Sequence, residues 1–206
     1  MAEASAACVA AALLGTAAYV NSFRGNFDEG TGITVLDKDL VFAFAFNPTA
    51  TPPSTAASWT FLQSETRSTI SVSLGFRKAT ANGQFTTTGV WAGATRVLWL
   101  QYRPTNCVLD VRGTPVKGNG TGTALVLPGL VAPLPESWGI NFVAQNANVS
   151  YLSGVTATVR QGPAGTLRLG GLDSNGPVGA GFPAQNITAD ITTQGYCAIT
   201  AEMTLT

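Results

Sequence analysis

The sequence predicts an all-β protein, an antiparallel β-sandwich of the jelly-roll type with an N-terminal arm. Apolar and polar residues alternate with period two in several segments, most clearly over residues 70–77 and 197–205. Such alternation is typical of strands that turn one face toward a core and the other toward water. Strand-like segments recur about every ten residues, and no amphipathic helix is recognisable after residue 20, as expected for sandwiches and jelly rolls.

Residues 1–20 are predicted to be an Ala-rich arm or edge strand. Alanine favours a helix, whereas Gly15, Tyr19 and Val20 favour an extended segment that packs on another surface, and we expect the extended form. A signal peptide is the alternative, but Glu3 stands where a basic region is expected, and the run is too short and too weakly apolar to span a membrane. Residues 21–206 are predicted to form a single β-sandwich domain.

The strand over residues 40–46, LVFAFAF, is predicted to lie at the centre of a sheet, because it is apolar on both faces. Residues 47–58 contain three prolines and are predicted to be a surface connection. Strands follow over residues 59–62, 70–77, 85–91 and 97–103, and Asn82-Gly83 is predicted to form a tight hairpin turn. Seven large side chains are expected to be mostly buried: Phe42, Phe44, Leu74, Phe76, Leu98, Trp99 and Leu100.

Beyond Arg103 the predicted strands are shorter. Residues 112–122 and 170–183 are predicted to be glycine-rich loops. The first contains a lysine among its glycines but lacks the residue order of a phosphate-binding loop. Short strands are expected over residues 108–111, 123–127, 138–143, 156–160, 166–169, 187–193 and 197–205.

The charge composition indicates a subunit of an assembly. Only 11% of the residues are charged, and 11 Lys and Arg balance 11 Asp and Glu. A surface with few charges and no net charge favours association. Because there is no basic excess, nucleic acid is not expected as a partner.

No catalytic, cofactor-binding or metal-binding residue is predicted. The sequence has no histidine, which removes the commonest general base and the commonest metal ligand. Two carboxylate pairs, Asp28 with Glu29 and Asp37 with Asp39, are candidates for glycosidase chemistry or a calcium site. We interpret them as solvated turn carboxylates.

The tryptophans and cysteines are also interpreted as structural. Trp59, Trp91, Trp99 and Trp138 suggest a carbohydrate platform, but three of them have apolar neighbours in strand-like sequence, so core packing is favoured. Cys8, Cys107 and Cys197 are odd in number and lack CxxC spacing, which favours buried free thiols in a reducing cytoplasm. A bridge between Cys107 and Cys197 stays open.

Six short motifs follow one another between residues 30 and 105, with a proline-bearing loop after the second: Gly32-Ile33-Thr34-Val35, Lys38-Asp39-Leu40-Val41-Phe42-Ala43, Ser58-Trp59-Thr60, Gly75-Phe76-Arg77-Lys78-Ala79, the segment from Phe85 to Gly89, and the strand from Leu98 to Arg103. In this order they resemble a domain of structural proteins of tailed bacteriophages, whereas residues 138–206 are similar only in style. Two positions depart from the pattern: Ser58 stands where glycine is frequent, and Phe76 stands where tyrosine or tryptophan is frequent.

The resemblance implies a virion component on the particle exterior, assembled in the bacterial host cytoplasm, and it transfers no catalytic residue. We expect a non-enzymatic capsid decoration or cement protein, a homo-oligomer that binds the major capsid protein or other virion subunits. No cofactor, nucleic acid or membrane partner is expected. A tail or fibre component that binds a host-surface glycan is the alternative, and a β-sandwich enzyme is the weakest of the three hypotheses.

Overall fold

The computed structural model of the protein describes residues 15–26, 32–55, 57–86, 91–147, 152–154, 156–161 and 168–206. Within these ranges the chain forms strands and connections and no helix. In chain order the strands are β1 (Thr16–Asn26), β2 (Gly32–Val35), β3 (Leu40–Asn47), β4 (Ser54–Thr55), β5 (Thr60–Arg67), β6 (Ile70–Lys78), β7 (Gly83–Thr86), β8 (Trp91–Ala92), β9 (Arg96–Thr105), β10 (Leu109–Leu127), β11 (Trp138–Gln145), β12 (Leu152–Ser153), β13 (Thr158–Gln161), β14 (Leu169–Asp173) and β15 (Gln185–Leu205).

Two antiparallel sheets make up the sandwich. The front sheet has the strand order β1-β9-β3-β6-β5, and the back sheet has the order β10-β15-β11-β14-β13, with β12 beside β15. Two short pairs, β2 with β7 and β4 with β8, lie outside these sheets. The predicted all-β antiparallel sandwich is therefore confirmed.

The strand β3 lies at the centre of the front sheet, as its sequence predicts. It pairs with β9 on one side and β6 on the other. Its three phenylalanines belong to the core between the sheets, and Val41, Ala43 and Ala45 belong to a second buried cluster on the opposite face. Burial on both faces explains why the strand has no polar side chain before Asn47.

The core between the sheets is aromatic at its middle. Phe44 of the front sheet stacks on Phe142 of the back sheet, with ring centroids 5.2 Å apart, and Phe42 lies 5.9 Å from the same ring. Six of the seven side chains predicted to be buried are fully so, and Phe76 is only partly buried. Phe76 lies near the end of β6, opposite Thr60 at the start of the edge strand β5.

A cluster of tryptophans covers the outer face of the front sheet. The Trp59 ring centroid lies 5.5 Å from that of Trp99 and 6.0 Å from that of Trp91. A Cβ on Gly75 would come within 2.8 Å of Trp91 Cη2, so only glycine leaves room for this indole. All four tryptophans are buried, which confirms the core-packing interpretation.

The outer face of the back sheet is covered in a similar way. The end of β10 and the beginning of β15 curl over it, so that Leu125, Leu127 and Ile187 share a buried cluster with Val143 and Leu172. Further along, the connection between β14 and β15 places Phe182 on Gly139, where an added Cβ would overlap the ring. The sandwich therefore has buried apolar clusters on the outer faces of both sheets as well as between them.

The two predicted glycine-rich loops are wrong where they overlap strands. Residues 112–122 lie inside β10, which pairs with β15, and residues 170–173 lie inside the buried strand β14. Gly113 and Gly122 have φ of 64° and 96° and accompany register shifts of β10. The glycines thus allow bulges within a strand. The pairing of β10 with β15 cannot be recognised from the sequence around these glycines, because the two strands are far apart in the chain.

The predicted hairpin at Asn82-Gly83 is also wrong. The strand β7 that follows pairs with β2 instead of β6, and neither residue has a positive φ. The Asn82 side chain instead accepts a hydrogen bond from the backbone N–H of Asp37, at 2.9 Å. The two-residue turn of this region joins β5 to β6 at residues 68–69, where Ser68 has a φ of 53°.

The end of the predicted N-terminal arm lies in β1. Residues 16–19 pair with β9 at the edge of the front sheet, and pairing resumes at Asn21 after a bulge at Val20. Residues 1–14 lie outside the described part of the chain. The same holds for residues 87–90 of the strand predicted over residues 85–91, whose ends belong to β7 and β8.

We predict that Phe44→Ala lowers the free energy of unfolding by about 3 to 5 kcal/mol, because it removes a fully buried ring that stacks on Phe142. Chemical denaturation of both proteins measures the difference. Phe61→Ala is the matched control, since that ring is 49% exposed, and it should cost much less. A Phe44→Ala protein that unfolds at the parent's midpoint would contradict the core assignment.

Candidate functional site

Buried carboxylates are the strongest candidates for chemistry, and Asp39 is the first of them. Its side chain is fully buried. Arg103 donates to it from Nε and Nη2, each at 2.8 Å, Gln101 Nε2 donates at 2.6 Å and the backbone N–H of Leu36 at 2.8 Å. Burial alone would raise the pKa of Asp39, but the hydrogen bonds from Arg103, Leu36 and Gln101 outweigh it, and the pKa is lowered.

The interpretation of the Asp37/Asp39 pair as solvated turn carboxylates is wrong for Asp39. Asp37 is exposed, but Asp39 directly precedes β3, and the pairing of Leu40 with Tyr102 in β9 brings Arg103 beside it. The register of two strands about sixty residues apart thus creates the ion pair, which no local pattern signals. Asp28 and Glu29 lie outside the described residues.

A second buried carboxylate, Asp173, links the two sheets. Tyr102 donates its hydroxyl to Oδ2 at 2.8 Å, Arg160 Nε donates to the same oxygen at 2.7 Å, and the N–H of Asn175 donates to Oδ1 at 2.8 Å. Burial, together with the charge of Asp173, raises the pKa of Tyr102 well above its usual value. The Arg160 guanidinium also lies 4.6 Å from the ring centroid of Tyr19, which ties β1 to the same network.

A third carboxylate, Glu202, positions the connection between β10 and β11. Arg112 Nη1 lies 3.0 Å from one carboxylate oxygen, and the backbone N–H of Leu134 donates to the other at 2.7 Å. Glu202 is nearly buried, whereas Arg112 is about half exposed. The period-two alternation over residues 197–205 puts Thr200 and Glu202 on the same face of β15, but it does not predict that a loop covers this face.

Each of these carboxylates is engaged by an arginine and by backbone or side-chain donors, so none is available as a general base. Within the described residues no three His, Cys, Asp or Glu side chains come together as a metal site. Cys107 and Cys197 are free thiols, and burial raises the pKa of Cys197 to about 12, so this thiol is inert as a nucleophile. The arrangement holds the fold together and carries no recognisable reaction chemistry.

Three clefts formed by described residues have no paired catalytic groups among their lining side chains. One of about 240 Å³ lies between Phe182, Pro183 and Gln185, and the Gln185 side-chain oxygen there already accepts hydrogen bonds from Thr156 and Ala157. Another of about 400 Å³ lies beside Val108. A third, of about 280 Å³, lies between β10 and the loop that Glu202 positions.

Some N–H groups of the outermost strands are occupied by side chains of the same strand. Backbone N–H groups in three of them donate to the side-chain oxygen of the preceding residue: Ser22 to Asn21 in β1 at 2.8 Å, Ser64 to Gln63 at 3.0 Å and Thr66 to Glu65 at 3.1 Å in β5, and Val111 to Asp110 in β10 at 2.8 Å. An unpaired edge N–H is otherwise a template for another strand. These groups discourage strand addition along the described edges.

Eight large apolar side chains are exposed among the described residues, and the most exposed of them lies in the connection between β10 and β11. Val131 is 86% exposed and Leu134 43% exposed, and both lie between β10 and β11, beside the 280 Å³ cleft.

Comparison of the sequence with protein-family models found no match, and comparisons with curated proteins and with solved structures found no significant similarity. The likeness to phage structural proteins therefore rests on the motifs of residues 30–105. The described residues contain no helix that is long and apolar enough to cross a membrane.

We predict that Asp39→Asn lowers the free energy of unfolding at pH 7 by about 2 to 4 kcal/mol, because Arg103 loses its buried partner. The folded-state pKa of Asp39 is lowered, so its contribution is complete above the unfolded-state pKa of about 3.9 and is lost as the pH falls through the folded-state value. Denaturation curves from pH 7 to pH 2 should therefore converge for parent and variant at acid pH.

Asp37→Asn is the control for this experiment, since Asp37 is exposed, and it should change the unfolding free energy by no more than about 0.5 kcal/mol. Equal stability of the Asp39→Asn protein and the parent at pH 7 would show that the ion pair makes no net contribution to the free energy of unfolding.

Proposed function

We propose that this chain is a non-enzymatic structural subunit on the exterior of a tailed-bacteriophage particle, most simply a capsid decoration or cement protein. Its partners in this proposal are the major capsid protein or other virion subunits and further copies of itself. It joins the particle in the cytoplasm of the bacterial host. The motifs of residues 30–105 suggest the class of protein, and the use of charge in the fold supports a role in assembly.

The observation that carries the proposal is that ten of the 22 charged residues form ion pairs within the chain. Five ion pairs join Lys78 to Asp110, Arg103 to Asp39, Arg112 to Glu202, Lys117 to Glu65, and Arg160 to Asp173. In a chain with only 11% charged residues, this leaves few charges for contacts with other molecules. A surface of this kind suits a permanent apolar and hydrogen-bonded contact better than a reversible electrostatic one.

The closed architecture supports the same role. Both sheets have apolar clusters on their outer faces as well as between them, and several edge N–H groups are occupied by side chains. The result is a rigid block whose described clefts have no paired catalytic groups. A decoration subunit needs such rigidity, because it must hold neighbouring subunits at fixed positions.

The glycan-binding tail or fibre component stays the alternative. It would use exposed aromatic faces, and all four tryptophans are buried. No observation in the described residues favours this alternative over the decoration protein.

The number of copies per particle tests the proposal. In purified virions separated on a stained gel, a decoration protein should be present in an amount comparable to that of the main shell subunit. A handful of copies per particle would point to a fibre or tail tip, and absence from purified virions would refute the proposal.

We predict that washing particles from low to molar salt does not release the protein, because an apolar contact is little affected by screening and exposed ion pairs contribute at most about 1 kcal/mol each. Blotting of the pelleted particles measures retention.

Deleting residues 2–14, which leaves β1 intact, should reduce incorporation if the N-terminal arm contributes. Release by salt alone, or full incorporation of the truncated chain, would contradict this mode of attachment.

A further inference from the structure

The end of the sandwich where β9 passes into β10 contains an open recess, here called the end recess. Its volume is about 400 Å³, which makes it the largest of the three clefts described above. Val108 in the end recess is 47% exposed, and Cys107 beside it is only partly buried against the core between the sheets. The other described residues that line the end recess are Lys38, Pro104, Asn106 and Thr206. The end recess therefore leaves this end of the apolar core partly uncovered.

The described part of the chain begins directly beside the end recess. Gly15 packs so closely on the backbone of Thr105 and Asn106 that an added Cβ would overlap the carbonyl groups of both. Thr16 pairs with Thr105, and the Cys107 thiol donates to the Thr16 carbonyl at 3.4 Å. Residue 14 is therefore bonded to a glycine that touches the wall of the end recess.

The ladder between β1 and β9 ends at the same point. The strand β9 ends at Thr105, and Asn106 turns the chain toward the back sheet with a φ of 59°. Val108 uses both its N–H and its carbonyl for Thr206, at 2.7 and 3.0 Å. Asn106 and Val108 thus do not extend the ladder, so contacts of the preceding residues with the end recess would be made by side chains.

The residues before Gly15 match the end recess in chemistry. Residues 6–14, AACVAAALL, here called the apolar segment, contain no charged residue, and their two leucines stand next to Gly15. The short distance along the chain from Gly15 brings Leu13 and Leu14 within reach of Val108. Apolar side chains that cover an exposed valine and a core rim are stabilised by leaving water.

The few charges at this place are complementary. Glu3 is the one charged residue in positions 1–14. Among the described residues that line the end recess, Lys38 is the one with a charged side chain, and it takes part in none of the five ion pairs described above. A chain of twelve residues spans up to about 40 Å, so Glu3 can reach Lys38 while the apolar segment lies in the end recess.

We propose that the apolar segment docks in the end recess of its own chain, with Leu13 and Leu14 over Cys107 and Val108. Because Gly15 joins the apolar segment to the wall of the end recess, its effective concentration there is high, and the same segment of another copy competes poorly. The inference goes beyond the proposed function, since it concerns the isolated chain and does not depend on a role in virions.

Alkylation of Cys107 by N-ethylmaleimide tests the proposal. A Cys8→Ser chain is used, so that Cys107 is the reactive thiol, because burial raises the pKa of Cys197 to about 12. Deleting residues 2–14 should increase the rate at which Cys107 is modified by at least about tenfold, since the docked segment covers the thiol. Mass spectrometry measures the rate, and an unmodified Cys197 shows that the truncated chain is folded.

Point variants of the apolar segment repeat the test without a deletion. The double variant Leu13→Asp and Leu14→Asp should increase the rate of Cys107 modification as the deletion does, because docking would bury two unpaired charges. The matched control is Ala4→Asp with Ser5→Asp, which adds the same charge outside the apolar segment and should leave the rate unchanged.

A variant of the end recess tests the contact from its other side. Val108→Asp should increase the rate at which elastase, which cleaves after small apolar residues, cuts within residues 6–14 by at least about tenfold, since a docked segment is protected. Val159→Asp is the matched control, because Val159 is also 47% exposed but lies on β13 of the back sheet. It should leave the cleavage rate unchanged.

Equal alkylation of Cys107 in the full and the truncated chain would overturn the proposal. Equal cleavage of the Val108→Asp protein and the parent would do the same. If the alkylation of Cys107 slows as the protein concentration rises, the apolar segment of another copy fills the end recess, and docking within one chain is refuted. All these measurements use the purified protein, so its presence in virions decides none of them.

Discussion

The structure depends on the burial of β3 on both faces. Its phenylalanines fill the space between the two sheets, and the small residues between them face the tryptophan cluster on the other side. A strand buried in this way must have hydrogen-bonded neighbours on both edges, because unpaired backbone groups in an apolar interior are costly. The pairing with β6 and β9 meets this requirement. Since β9 then contributes Tyr102 and Arg103, both buried carboxylate networks depend on the same strand register.

The polar interior follows from this register. Asp39 at the start of β3 meets Arg103, and Tyr102 reaches across the sandwich to Asp173. A buried carboxylate is stable only when donors surround it, and each of these two has three or four donors. Such networks add little net stability compared with apolar packing, but they exclude alternative strand registers, since any slip would leave a charge buried without a partner.

The surface reflects the same use of charge. Ten of the 22 charged residues form ion pairs within the described part of the chain, and four N–H groups of β1, β5 and β10 are occupied by side chains of the same strand. Occupied N–H groups disfavour pairing with a further strand at those positions. Glu202 is used in a similar way inside the fold, since its carboxylate accepts the N–H of Leu134 and positions the connection between β10 and β11.

The sequence by itself determined the fold class and much of the core. Period-two alternation and the doubly apolar run over residues 40–46 are local properties, and they predicted the central strand and six of seven core side chains correctly. The tertiary structure alone decided the strand partners. Glycine favours loops locally, so the sequence predicts a loop over residues 112–122, whereas pairing with β15, about eighty residues away, makes them a strand. The sequence likewise predicts a solvated carboxylate at Asp39, because its partner Arg103 is brought to it only by the register of β9 against β3. Alternation along a strand is fixed by backbone geometry, but pairing depends on contacts between residues far apart in the chain, which a local pattern does not encode.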